Sequence, residues 1–207
     1  MPEQNSNQPP TRDFEEIART LQEITTKSQE VVGEFLRQEQ SAHHVPMEDA
    51  AQMAQLFQHL STRMMADPAR LMEAQMGFWT DYMSLMQNIT MRFWGLQAEP
   101  VAQPEKGDRR FKHQQWEDHP VFDYIKQTYL LTSDYLHTVV SDVEGLDDKT
   151  KKKVDFYTRA FIDAMAPSNF VVTNPEVLEK TAETGGQNLL QGLNNLLDDL
   201  KRGRGRL

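Results

Sequence analysis

Residues 164–178 read AMAPSNFVVTNPEVL, a helix stop and a helix start separated by a short apolar turn. The preceding run, VDFYTRAFIDAM (154–165), places Val154, Tyr157, Phe161 and Ala164 on one face at helical spacing. Pro167 removes a backbone donor and pushes Ala166 away from helical geometry, so that helix ends. Asn174 is a good N-cap, Pro175 suits the first helical position, and Glu176 favours the positive helix end. Between them, Phe170, Val171 and Val172 are too apolar to be left to solvent. Phe170 is expected to be buried, and Pro167, Phe170, Asn174 and Pro175 to form a structural turn.

Towards the C-terminus, a short helix is expected to end at Gly185-Gly186. A last helix follows, with Leu189, Leu193, Leu196, Leu197 and Leu200, and then RGRGRL. Towards the N-terminus, Asp147 or Asp148 can cap the helix that carries Lys149 to Lys153. Cations on a first turn are slightly unfavourable, and these lysines read as a solvated face, with a phosphate or CoA contact as the lesser alternative. A helix begun near Asp118–Pro120 presents Phe122, Ile125, Tyr129, Leu136, Val139 and Val143 inward and is capped by Gly145.

DRRF (108–111), Trp116, FDYIKQTYLLT (122–132), residues 142–178 and ETGGQNLLQGLNNLLDDL (183–200) follow one another in one order. Together they closely resemble the N-terminal domain of class I polyhydroxyalkanoate synthases, which polymerise 3-hydroxyacyl-CoA into storage polyester. AQMGFWTDYMSLMQ (74–87) and RFWG (92–95) are similar to the same family's preceding helix. Before Ala66 nothing specific is recognised. The resemblance implies that a strand and an α/β-hydrolase-like catalytic domain come next, so the chain is expected to be an N-terminal piece. It also implies acyl transfer through a Cys nucleophile activated by His, with an Asp behind it.

The chain has no Cys and no nucleophile-elbow box, so none of those family residues carries over. Adjacent carboxylates such as Asp147-Asp148 and Asp198-Asp199 diverge on a helix, and His113, His119 and His137 have no triad spacing. His43-His44 lacks partner ligands at metal-binding spacing. No catalytic residue, cofactor site or metal site is assigned. The resemblance to an acyltransferase therefore implies a chain inactive alone.

Basic residues number 22 against 31 acidic among 207, a net charge of −9. This argues against general nucleic-acid binding and attraction to anionic lipid, and RGRGR is too short to reverse it. Residues 1–13 are polar and Pro-rich, unlike a secretory leader, and no apolar run is long enough to span a bilayer. A cytoplasmic protein is the expectation, and the resemblance adds polyhydroxyalkanoate granules as its location.

The N-terminal half reads as a disordered tail over 1–12, then amphipathic Met-rich helices over 13–97. Asp13 and Glu16 suit a capping box. Phe14, Ile17, Leu21, Ile24, Ser28, Val31 and Phe35 form a heptad-like seam. That helix is an amphipathic element of its own domain, a pairing helix for another chain, or a membrane-surface helix; seven acidic against four basic residues over 12–39 disfavour the last. A second helix carries Ala50, Met53, Ala54, Phe57, Leu60 and Met64. Asp67-Pro68 opens a long helix to about Leu96. One face holds Leu71, Gln75, Phe78, Tyr82, Leu85 and Ile89. The other, with Met72, Met76, Trp79, Met83, Met86 and Phe93, is read as a partner interface, since Met and aromatics favour interface cores; an ordinary helical core is the competing reading. Nine of the eleven methionines lie between Met47 and Met91.

The expectation is an all-α fold of about six or seven helices in two parts. A Pro-rich linker (98–107) joins them, and 108–207 is the synthase-like domain. The favoured function is a non-catalytic domain that supports a synthase catalytic domain (in the same chain if the chain is extended), its dimerisation and its attachment to the polymer granule or to a granule-associated protein. The alternative is a free-standing, phasin-like granule-coating or self-associating helical protein.

Overall fold

The computed structural model describes residues 11–41, 56, 58, 60–141, 143 and 145–202, and it contains helix but no strand among them. The expected all-α class is therefore correct. The elements are α1 (Thr11–Ser41), α2 (60–66), α3 (Pro68–Phe93), α4 (Gln115–Asp118), α5 (Pro120–Ser141), α6 (Asp148–Ala164), a 3₁₀ turn (Pro167–Asn169), α7 (Pro175–Glu183) and α8 (Gln187–Lys201). Expectations for residues 1–10, for His43-His44 and for Ala50, Met53, Ala54 and Phe57 fall outside the described residues.

Capping fixes the helix ends. The Asp67 carboxylate accepts from the Arg70 amide at 3.2 Å, with Pro68 next in the chain. Asp147 accepts from the amides of Lys149 and Thr150, both at 3.0 Å, and from the Thr150 hydroxyl at 2.7 Å. That last bond and the amide donors hold its carboxyl below the usual carboxylate range. Gly145 takes φ +79° in the connection from α5 to α6. One-turn α4 is separated from α5 because His119, before Pro120, is extended.

The chain forms two compact units, 1–45 with 177–207, and 46–176. In the first, α1 packs against α8. Thr20 is buried there, and the Gln187 side-chain amide donates to its hydroxyl at 3.2 Å. Gly186 makes this approach possible. Its φ is +88°, and a Cβ would lie 3.2 Å from Thr20 Cγ2 and 3.3 Å from Ile24 Cδ1. Ile24, Ser28 and Val31 of the expected seam are half-buried, whereas Leu21 and Phe35 face solvent. The packed face is thus rotated towards Thr20, because the tightest approach is set by a glycine and a small polar side chain rather than by the largest apolar ones.

In the second unit, α3 and α6 both pack on α5. One core patch joins Leu60 to Val143, Leu146 and Val154. Another is aromatic: Phe111 meets Trp116 edge-on at 5.0 Å, and Trp116 meets Phe122 at 6.0 Å. The segment 98–107 does not divide two compact units. It lies inside this one, where the Gln127 side-chain oxygen accepts from the amides of Val101 (2.7 Å) and Ala102 (3.2 Å) and Asn88 donates to the Glu99 carbonyl. A Pro-containing segment leaves backbone amides without helical partners, and here side chains of α3 and α5 take up its polar groups.

Trp116 is 1% exposed. Trp116→Ala should lower the unfolding free energy by roughly 3–5 kcal/mol, read from urea denaturation followed by circular dichroism.

Candidate interaction surface

The long helix α3 is fixed first by what it buries. Leu85 is fully buried, and Phe78 packs against Tyr135 of α5 at 5.1 Å between ring centres. The Tyr82 and Tyr124 hydroxyls share a hydrogen bond at 2.9 Å, which pushes the Tyr82 phenol above its ordinary pKa. At the helix end, the Arg92 guanidinium bonds the Asp123 carboxylate and the Glu117 carbonyl. Asp123 also accepts from the Gln127 amide at 2.8 Å and pairs with Lys126 at 3.1 Å. Asp123, Lys126 and Gln127 are all buried.

With that side held, the Met-aromatic side points away from the unit's core. Met72, Met76, Trp79, Met83 and Phe93 are exposed, Trp79 at 52%, and Met86 is half-buried. Their spacing of 4, 3, 4, 3 and 7 residues draws one line about 32 Å long. The four charged residues of α3 are Arg70, Glu73, Asp81 and Arg92. Each lies a quarter turn or more, roughly, from the stripe's centre line. The result is a long apolar surface without charge.

A second node surrounds Arg110 in the DRRF run. Its guanidinium bonds the Asp108 carboxylate (2.9–3.2 Å), Asp163 (2.8 Å) and the Tyr129 hydroxyl (2.9 Å), and lies over the Tyr129 ring. The bond to Asp108 raises the Arg110 pKa further, and Arg110 holds the Asp108 carboxyl below the usual carboxylate range. Tyr129 in turn donates to the Ile162 carbonyl at 3.1 Å. This node ties 108–110 to α5 and α6; the guanidinium's donors are taken up by neighbours within the fold. Among the described residues, no three His, Cys, Asp or Glu side chains converge as a metal site.

The turn after α6 departs from expectation. Phe170 is 45% exposed, and Val171 and Val172 are exposed too. The turn is held by polar groups instead. Asn169 donates to the Asp163 carbonyl (2.8 Å), Thr173 to that of Pro167 (2.6 Å) and Asn174 to that of Ser168 (2.7 Å). The Asn174 side-chain oxygen accepts from the Glu176 amide at 3.0 Å, and Pro167 and Pro175 are buried. Side-chain amides satisfy the carbonyls that Pro167 strands, so the turn closes without its apolar tip.

These features define a helical scaffold with a long outward apolar face. Residues 107–207 match the family described as poly-beta-hydroxybutyrate polymerase (PhaC) N-terminus. The poly(3-hydroxyalkanoate) polymerase of Methylorubrum extorquens is 35% identical over 216 residues, covering 96% of this chain and 34% of that protein. The poly(3-hydroxyalkanoate) polymerase subunit of Rhizobium meliloti is 35% identical over 160 residues (77% and 26%), and that of Cupriavidus necator 31% over 137 (66% and 22%). The chain spans about a third or less of the length of these relatives. No solved structure matches it. Through residues 107–207 the chain belongs to the family of polyhydroxyalkanoate synthase N-terminal domains.

Two substitutions separate the polar frame of the turn from its tip. Phe170→Ala should cost less than about 1 kcal/mol, as at a surface site. Asn174→Ala should cost about 1–2 kcal/mol by removing a cap and a carbonyl partner. Parallel urea titrations give both values.

Proposed function

We propose that this chain is the non-catalytic helical part of a polyhydroxyalkanoate synthase, and that the stripe Met72–Phe93 is its docking face for the catalytic portion. The observation that carries this reading is a charge-free line of Met and aromatic side chains left outward on a helix whose opposite side is locked by buried hydrogen bonds. Methionine and aromatics dominate interface cores because they supply large, adaptable apolar area. No described helix is long and apolar enough to cross a membrane, so the face suits a protein or polymer surface. Promotion of dimerisation and retention at polyester granules in the cytoplasm are the wider roles in this proposal, and both draw on the synthase resemblance.

The test pairs this chain with the remaining two thirds of the Methylorubrum extorquens relative, expressed separately. Trp79→Ala should weaken their association by about tenfold or more, as for an interface anchor, while the isolated chain loses less than about 1 kcal/mol of stability. A Trp79→Ala chain that melts early yet, in its folded fraction, associates as before would place Trp79 in the core and refute the assignment.

A further inference from the structure

Helix α6 buries only Val154 and Ile162 of its larger apolar side chains. The helical spacing places Tyr157 and Phe161 on one face with Val154. In the fold all three aromatics of the helix face out: Phe156 at 65%, Phe161 at 58% and Tyr157 at its margin. Phe156 and Tyr157 pack edge-on at 5.4 Å, so they form one aromatic ridge. Lys149, Lys153 and Phe156 lie on one line at i, i+4 and i+7, with Lys152 one turn before Phe156. A purely solvated lysine face would not carry exposed phenylalanines.

Charge on this face is local and positive although the chain is acidic. Lys149, Lys151, Lys152 and Lys153 make no ion pair among the described residues. The helix's later carboxylates are neutralised, Asp155 by Arg159 at 3.2 Å and Asp163 by Arg110 at 2.8 Å. Among the described residues, Asp147 and Asp148 at the start of the helix oppose the four lysines. Beyond the helix the outward apolar surface resumes at Met165 and Phe170–Val172.

We infer that the outer face of α6 is a docking surface for anionic lipid. Lysine stems can lie along apolar material while their ammonium groups reach phosphates, and aromatic rings sit at the headgroup level. The face carries a shallow hollow lined by Asp148, Lys149, Lys152, Lys153, Phe156 and Tyr157. Headgroups of a fluid lipid layer are small and mobile enough to enter it singly, with their phosphates beside the lysines. This inference is independent of the docking role given to α3, whose stripe carries no charge.

The experiment is co-sedimentation of the whole chain with large vesicles. Vesicles of mixed phosphatidylglycerol and phosphatidylcholine should bind it, and pure phosphatidylcholine vesicles should bind at least tenfold more weakly. Each lysine near an anionic surface contributes roughly fivefold. The triple variant Lys149→Gln, Lys152→Gln, Lys153→Gln should therefore lose more than about tenfold in affinity, with an unchanged circular dichroism spectrum. Phe156→Ser should weaken binding while leaving its salt dependence in place. No binding to the anionic vesicles, equal binding to both vesicle types, or full binding by the triple variant would each overturn the inference. So would capture by an acidic peptide without capture by vesicles, which would assign the face to a protein.

Discussion

The second unit depends on a buried polar lattice in which one carboxylate, Asp123, is shared by Arg92, Lys126 and Gln127. Each group alone would be costly to bury; together they satisfy one another, and Gln127 passes the connection on to the backbone of Val101 and Ala102. The lattice joins the end of α3, the first turns of α5 and the crossing segment between them. Apolar packing at Leu85 and Phe78 holds α3 near α5, but such contacts are weakly directional. Hydrogen bonds at fixed positions set the helix's rotation, and rotation decides which side chains face out.

Much of this architecture is legible in the sequence. Asp67-Pro68, Asp147 and Asn174-Pro175 mark helix starts because short polar side chains satisfy amides that a first turn leaves open. Gly185 and Gly186 mark an end because their positive φ suits few other residues, whereas α5 stops at Ser141, four residues before the Gly145 expected to cap it. The lattice is not legible. A search for apolar period on α5 selects Phe122, Ile125 and Tyr129, and passes over Asp123, Lys126 and Gln127, which look like its solvated face. Their pairing with one another and with Arg92, 31 residues before Asp123, makes their burial tolerable. The outward aromatics of α6 and the exposed tip at Phe170 are missed for a related reason. Periodicity reports that a face is apolar, not which surface covers it.

The apolar faces of the second unit therefore differ in kind. The α3 stripe is long and uncharged, and the partner proposed for it is another folded apolar surface. The α6 face mixes rings with lysines, and the partner inferred for it is anionic and deformable. The Arg110 node separates itself from both, since its donors are taken up within the fold.

The claim that polar coupling sets α3 against α5 is tested most directly by a double-mutant cycle on Arg92 and Asp123. Arg92→Leu, Asp123→Leu and the double variant would be unfolded in urea at neutral pH. Each single change should be strongly destabilising, since it strands a charge or its partners in the interior. The double variant should cost clearly less than the sum, with a coupling of at least about 1.5 kcal/mol. Additivity within about 0.5 kcal/mol would show the two groups to be independent, and the lattice could not then be what orients the helix.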